Sequence, residues 1–157
     1  MSYSLKSGKA ETLTWFKANE PTINTVVDIG PGSGTYIKLI KEEARCCVDA
    51  TWIGVEIWKP YIEEYNLENR YTTILNQDVR TLDWNVIKPD AVIAGDVLEH
   101  MTKEDAIVLV DKILSVAKTL IVSIPIRYMP QDEHAYENPH EAHIKDDWSH
   151  EEVMGTW

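Results

Sequence analysis

The 157-residue chain has only two cysteines, and Cys46 and Cys47 are sequence neighbours. Adjacent cysteines are poorly placed to bridge each other, so no disulfide framework is expected, and the pair fits a reducing, cytoplasmic setting. No apolar run approaches the roughly 20 residues that a membrane-spanning helix needs. Met1-Ser-Tyr-Ser-Leu-Lys carries no apolar signal region either, so a soluble protein away from membranes is expected. Basic side chains are outnumbered: 15 Lys and Arg face 26 Asp and Glu, a formal charge of -11. A phosphate backbone calls for a basic face, so nucleic acid is not expected as a partner. The imbalance is greatest over 131–152, where Lys145 is the single base among Asp132, Glu133, Glu137, Glu141, Asp146, Asp147, Glu151 and Glu152; such a run reads as a solvated surface. The chain contains neither repeats nor low-complexity tracts. A hydrophobic content of 44% suffices for one core. Residues 1–157 therefore read as one domain, with a leading helix in 1–20 and a tail over 126–157.

Apolar runs and helical periods alternate along the chain. Leu5 to Asn19 is expected to be helical, with Leu13, Trp15 and Phe16 on its buried side and Pro21 after its end. Strands are expected at Thr25–Ile29, Thr51–Glu56, Tyr71–Leu75, Ala91–Ala94 and Thr119–Ser123. Between them fall a helix from Thr35 to about Arg45, carrying Tyr36, Ile37, Leu39 and Ile40, and another over Tyr61–Leu67 with Pro60 in its first turn. Thr102-Lys-Glu-Asp105 resembles a capping box opening a long helix whose apolar positions are Ala106, Leu109, Val110, Ile113 and Leu114. Ser149-His-Glu-Glu152 repeats that signal before a last short helix. Strands alternating with helices imply right-handed crossovers, hence an α/β fold with a doubly wound, mostly parallel sheet.

The segment Asp28-Ile-Gly-Pro-Gly-Ser-Gly34 joins the first strand to its helix. Glycines let the backbone approach a ligand closely, and the carboxyl ends of such strands are where α/β sheets bind ligands. A dinucleotide-binding turn needs G-x-G-x-x-G, but the position three after Gly32 is Thr35, and the spacing is G-x-G-x-G. Asp28 would repel a pyrophosphate yet could hold an ammonium. A cationic nucleoside cofactor without phosphate is therefore expected.

These residues resemble the class I methyltransferases that use S-adenosylmethionine, whose fold is Rossmann-like with strand order 3-2-1-4-5. Their acidic residue plus G-x-G-x-G matches Asp28–Gly34, and their acid after strand two matches Glu56 in Ile53-Gly-Val-Glu-Ile57. The polar residue after strand three matches Asp78 in Asn76-Gln-Asp-Val79, and the segment after strand four matches Gly95-Asp-Val-Leu-Glu-His100. The resemblance covers about Thr25 to Ser123. It implies cofactor contacts from Asp28, Gly30, Pro31, Gly32, Ser33, Gly34, Glu56, Ile57, Asp78, Val79, Gly95 and Asp96. Glu56 would accept the ribose hydroxyls, Asp78 would accept from the adenine amino group, and Val79 would pack on the ring. A methyltransferase acting on a small molecule, less readily on a protein side chain, is the leading expectation. A cofactor-binding module without catalysis and a nicotinamide-dependent oxidoreductase are the competing ones.

Asp96, Glu99 and His100, spaced i, i+3 and i+4, would share one face of a helical turn. His100 is a candidate general base. No metal is expected, although these three would be its ligands in the manner of relatives with Glu-x-x-Glu-His. In the tail, His143 is a second candidate catalytic residue, and Tyr128 and Trp148 are candidate acceptor-pocket aromatics. His134 and His140 read as solvent-exposed. Methyltransferases of this class usually add two strands after the fifth, whereas this chain ends at Gly155-Thr-Trp157. The fifth strand is then expected to form an exposed apolar edge, through which, or through the tail, a homodimer could form.

Overall fold

The apolar runs become the five strands of one parallel sheet in the computed structural model, which describes residues 8–132 and 137–157. They are β1 (Thr25–Ile29), β2 (Thr51–Val55), β3 (Thr73–Leu75), β4 (Ala91–Gly95) and β5 (Thr119–Ser123), ordered β3-β2-β1-β4-β5. In register, Asp28 lies beside Gly54 on one side and Ile93 on the other. β1 and β4 are buried on both faces, which is why Val26-Val27 and Ala91-Val92-Ile93-Ala94 are continuous apolar runs.

Alternation along β1 sends Val26 to one face and Val27 to the other, so the core has two layers. The first layer is closed by α1 (Lys9–Asn19) and by the segment after the glycine turn, with Phe16 stacked 6.1 Å from Trp52. Leu5–Ser7 of the expected leading helix lie outside the described residues; Phe16 is buried, and Leu13 and Trp15 are half-buried. The second layer is closed by α5 (Lys103–Leu114), whose Ala106, Leu109, Val110 and Ile113 are buried. Leu114 is not: it is 52% exposed, having fallen past the inward stripe at the last turn. Thr102 caps α5 by accepting from the Asp105 amide at 3.1 Å.

Several boundaries differ from the sequence reading. The helix after the glycine turn is one α-helical turn, α2 (Thr35–Ile37), followed by a π-helical stretch, Lys38–Glu43. The next helix, α3 (Lys59–Glu64), starts one residue before Pro60 and stops two residues before Asn66, which takes φ 53°. Tyr71 and Thr72 precede β3, whose pairing with β2 begins at Thr73. A short helix, α4 (Trp84–Ile87), has no counterpart in the sequence reading; Asp83 caps it at 3.1 Å and Trp84 is its buried anchor. α6 (His150–Thr156) is capped by Ser149 as expected, but the Glu152 side chain binds Lys103 at 2.7 Å and Lys145 at 3.1 Å.

Candidate active site

Parallel strands end together, so the segments after β1, β2, β3 and β4 converge above the sheet's carboxyl edge. They line a cavity of about 280 Å³ that the tail roofs over. The tail keeps its shape by pairing with itself and with the segment after β4. The Met129 amide donates to the Asp146 carbonyl at 2.8 Å, His143 to Gln131 at 3.0 Å, and Ile144 to the Glu99 carbonyl at 2.8 Å.

Gly30, Pro31 and Gly32 form part of the cavity wall; Ser33 and Gly34 lie behind it. The carbonyls of these last two are held by Arg70, which donates at 2.8 Å to Ser33 and 2.9 Å to Gly34 while its Nε pairs with Glu42 at 2.7 Å. Gly34 takes φ 73°, and a Cβ there would lie 2.2 Å from the Arg70 guanidinium. Only glycine allows both the left-handed backbone and this clamp. At Gly95 the requirement is close approach: a Cβ would lie 2.2 Å from the Tyr36 ring, which shares the cavity wall.

Glu56 stands just past β2, buried on the cavity wall, and accepts from the Gly32 amide at 3.2 Å and the Trp58 amide at 2.9 Å. It thus ties the glycine turn to the end of β2. Burial raises its pKa, opposed by those amide donors. Asp28 does not face the cavity. Its side chain turns toward the first core layer, where the Tyr71 hydroxyl donates to it at 2.5 Å. Burial pushes its pKa up to about 7; the Tyr71 bond and the Arg70 charge oppose this, and the Glu56 charge adds to it. The expected direct grip of Asp28 on a ligand ammonium is therefore corrected to an interior position behind the turn, because the side-chain period of β1 points it away.

Ile57, Asp78, Val79 and Gly95 line the cavity. Asp78 is engaged by Arg80, which donates to it at 2.6 Å and to Asp105 at 2.9 Å, and this hydrogen bonding holds the Asp78 carboxyl below its ordinary range. The Arg80 cation on the wall is thus already paired with carboxylates.

On the opposite wall, Asp96 takes φ 56° and accepts from the Ser123 hydroxyl at 3.0 Å. It lies outside the single 3₁₀ turn Leu98–His100, so Asp96, Glu99 and His100 do not form the expected helical face. Instead Glu99 and His100 meet His143 from the tail, the two imidazole rings lying 5.0 Å apart. Burial lowers the His100 pKa and raises that of Glu99 to about 8. His140 is exposed, at the cavity rim beside Trp58; His134 lies outside the described residues. Tyr128 and Trp148 leave the pocket assignment: Tyr128 is 73% exposed, and Trp148 is buried in the second core layer. Arg70, Tyr71 and Met129 are not visible in the sequence, because each comes from a segment with no motif of its own; Tyr36 and Arg80 adjoin the glycine turn and the Asn76–Val79 segment but belong to neither motif.

A search of curated protein sequences finds no match. Among solved structures, the chain is similar to the N-terminal domain of EvdMO1 crystallised with SAH, with 14% identity and TM-score 0.65, covering 97% of this chain and 70% of that one. It also resembles an S-adenosylmethionine-dependent methyltransferase from Clostridium acetobutylicum (16% identity, TM-score 0.60, 79% of this chain and 52% of that one). A third is the plantazolicin methyltransferase BpumL in complex with SAH (14%, 0.62, 96% and 63%). The chain thus spans from about half to 70% of the length of these three proteins. The family model described as a methyltransferase domain matches residues 27–119, more than half of the sequence. By that match the chain belongs to the methyltransferase domain family.

Proposed function

We propose that the chain transfers a methyl group from S-adenosylmethionine to a small-molecule acceptor. The observation that carries this reading is Glu56, a buried carboxylate on the cavity wall tied to the glycine turn through the Gly32 amide. A carboxylate there accepts from sugar hydroxyls, while the wall's guanidinium, Arg80, is occupied by Asp78 and Asp105 and is not available to a pyrophosphate. Similar solved structures were determined with SAM or SAH.

S-adenosylmethionine supplies a methyl already activated on a sulfonium. The chain's task is then to position the acceptor, since orientation is worth up to roughly 7 to 11 kcal/mol. Gly30, Pro31 and Gly32 present backbone to the cofactor, with Gly34 allowing the turn and Asp28 supporting it from the interior. Glu56 and Ile57 hold the sugar end, Asp78 and Val79 the base, and Gly95 and Asp96 the far wall. Met129, Gln131 and Asn138–Ile144 close the cavity against water and define a space of small-molecule size. His100 and His143 face that space from the acceptor side.

The reading is tested by calorimetric titration with S-adenosylhomocysteine and with NAD. Saturation by the former, lost in Glu56→Ala, is expected; saturation by NAD alone overturns it. Turnover is sought with methyl-labelled cofactor and panels of amino sugars and hydroxylated small molecules. No helix among the described residues is long and apolar enough to cross a membrane. The unbridged thiols of Cys46 and Cys47 fit a cytoplasmic setting. Along β5, Leu114, Leu120, Val122, Ile126 and Trp157 line an apolar groove suited to a second copy of the chain. Light scattering that returns a monomer at tens of micromolar removes this homodimer.

A further inference from the structure

Glu99, His100 and His143 each bring one potential ligand atom to within 4.8 Å of the others, on the wall of the cavity. Two of them are neighbours after β4; the third arrives from the tail, 43 residues later. The hydrogen bonding of the histidines is directional. His100 Nδ1 lies 3.1 Å from the Ala142 carbonyl and His143 Nδ1 lies 2.5 Å from the Met129 carbonyl. A carbonyl can only accept, so each Nδ1 carries the proton and each Nε2 is left with its lone pair. Fixing the tautomer through a backbone carbonyl is how proteins orient a metal-binding imidazole.

Glu99 supplies an independent observation. Its side chain is 2% exposed, yet Oε2 has no hydrogen-bond partner. A buried carboxyl oxygen without a partner is costly. The backbone carbonyl of Glu99 is meanwhile fully engaged by the amides of Ile144 and Lys145, at 2.8 and 3.1 Å, which is what draws His143 against it.

We propose that Glu99, His100 and His143 form a divalent-cation site of two imidazoles and one carboxylate, open to the cavity on its remaining positions. This donor set suits a transition ion such as Mn²⁺, Fe²⁺, Co²⁺ or Zn²⁺ in preference to Mg²⁺ or Ca²⁺, which favour oxygen ligands. Asp96 is not a member: it is turned to Ser123. The set thus differs from the one that helical spacing suggests, and it exists only because the tail folds back. Placed on the cavity wall, the ion would offer its open positions to donor atoms of the methyl acceptor. That last step rests on the methyl-transfer reading; the site itself does not.

The test is titration of the intact, cofactor-free, metal-stripped chain with Co²⁺, read by its visible d–d absorption. One equivalent is expected to saturate the spectrum. Glu99→Gln and His143→Ala are each expected to weaken binding at least tenfold, and His150→Ala, at the exposed start of α6, to leave it unchanged. His143 sits in the roof and not in the sheet, so its variant also serves if Glu99→Gln fails to fold; circular dichroism monitors both. Absence of a saturable one-equivalent spectrum in the unaltered chain overturns the proposal, and so does a folded His143→Ala variant that binds as well as the parent. Because no cofactor is present, failure here leaves the S-adenosylhomocysteine titration unaffected, and failure of that titration leaves this result standing.

Discussion

Replacing Asp28 by Asn should make the protein's stability less dependent on pH, and the structure sets the size of the effect. Asp28 is fully interior and its carboxyl titrates near 7, against 3.8 in a solvated chain. A raised acid favours folding when protonated, so its stabilising share is complete below pH 3.8. It is lost as pH climbs through the folded value and is gone above about 7. At about 1.4 kcal/mol for each pH unit separating the folded and solvated values, the two extremes differ by roughly 4 kcal/mol. Between pH 5 and pH 8 the share that changes is about 3 kcal/mol by the same conversion. In a domain of this length that is roughly 5 to 10 °C in melting temperature. Asn keeps an oxygen that can accept from Tyr71, and its uncharged amide feels no ionisation penalty. Its extra N–H groups need partners, a cost of about 1–3 kcal/mol that is the same at both pH values. The readout is therefore the difference of differences: melting of parent and Asp28→Asn, each at pH 5 and pH 8. The variant should gain on the parent by roughly 5 to 10 °C on going to pH 8. A gap that stays constant, or that moves against the variant as pH rises, refutes the interior protonated carboxyl.

Gly34→Ala should destabilise the chain by about 2 kcal/mol or more, from left-handed strain and displacement of Arg70, measured by urea unfolding; an unchanged midpoint contradicts the clamp. Arg70→Met should raise the dissociation constant for S-adenosylhomocysteine severalfold, because the glycine turn loses both carbonyl anchors, while the sheet still forms by circular dichroism. Thr102→Ala removes the cap of α5 and should cost about 1 kcal/mol with no change in cofactor binding. Glu56→Ala should abolish measurable S-adenosylhomocysteine binding at concentrations that saturate the parent; retained affinity there moves the cofactor site elsewhere.

Much of the architecture was legible in the chain because it is local. Val26-Val27 and Ala91-Val92-Ile93-Ala94 are buried on both faces, so they announce themselves as strands, and the Thr102 and Ser149 caps mark helix starts through bonds spanning three residues. Glu56 and the glycine turn could be read because a strand end and a tight turn each impose their own residue types. Where the backbone widened into the π-helical stretch after Ile37, or where a single tryptophan anchored α4, no local rule carried the information.

The sequence by itself marked the alternation of strands and helices and the glycine turn, since periodicity and turn chemistry act over a few residues, while the strand order followed from the family resemblance that its motifs carry. Only the tertiary structure decided which way each functional side chain points and what it meets. Asp28 turns inward to Tyr71 because β-strand side chains alternate, Arg70 reaches a turn 36 residues earlier, and His143 joins Glu99 and His100 only through the folded-back tail. Contacts of that kind depend on chain segments far apart in sequence arriving at the same point, and no spacing within either segment records the meeting.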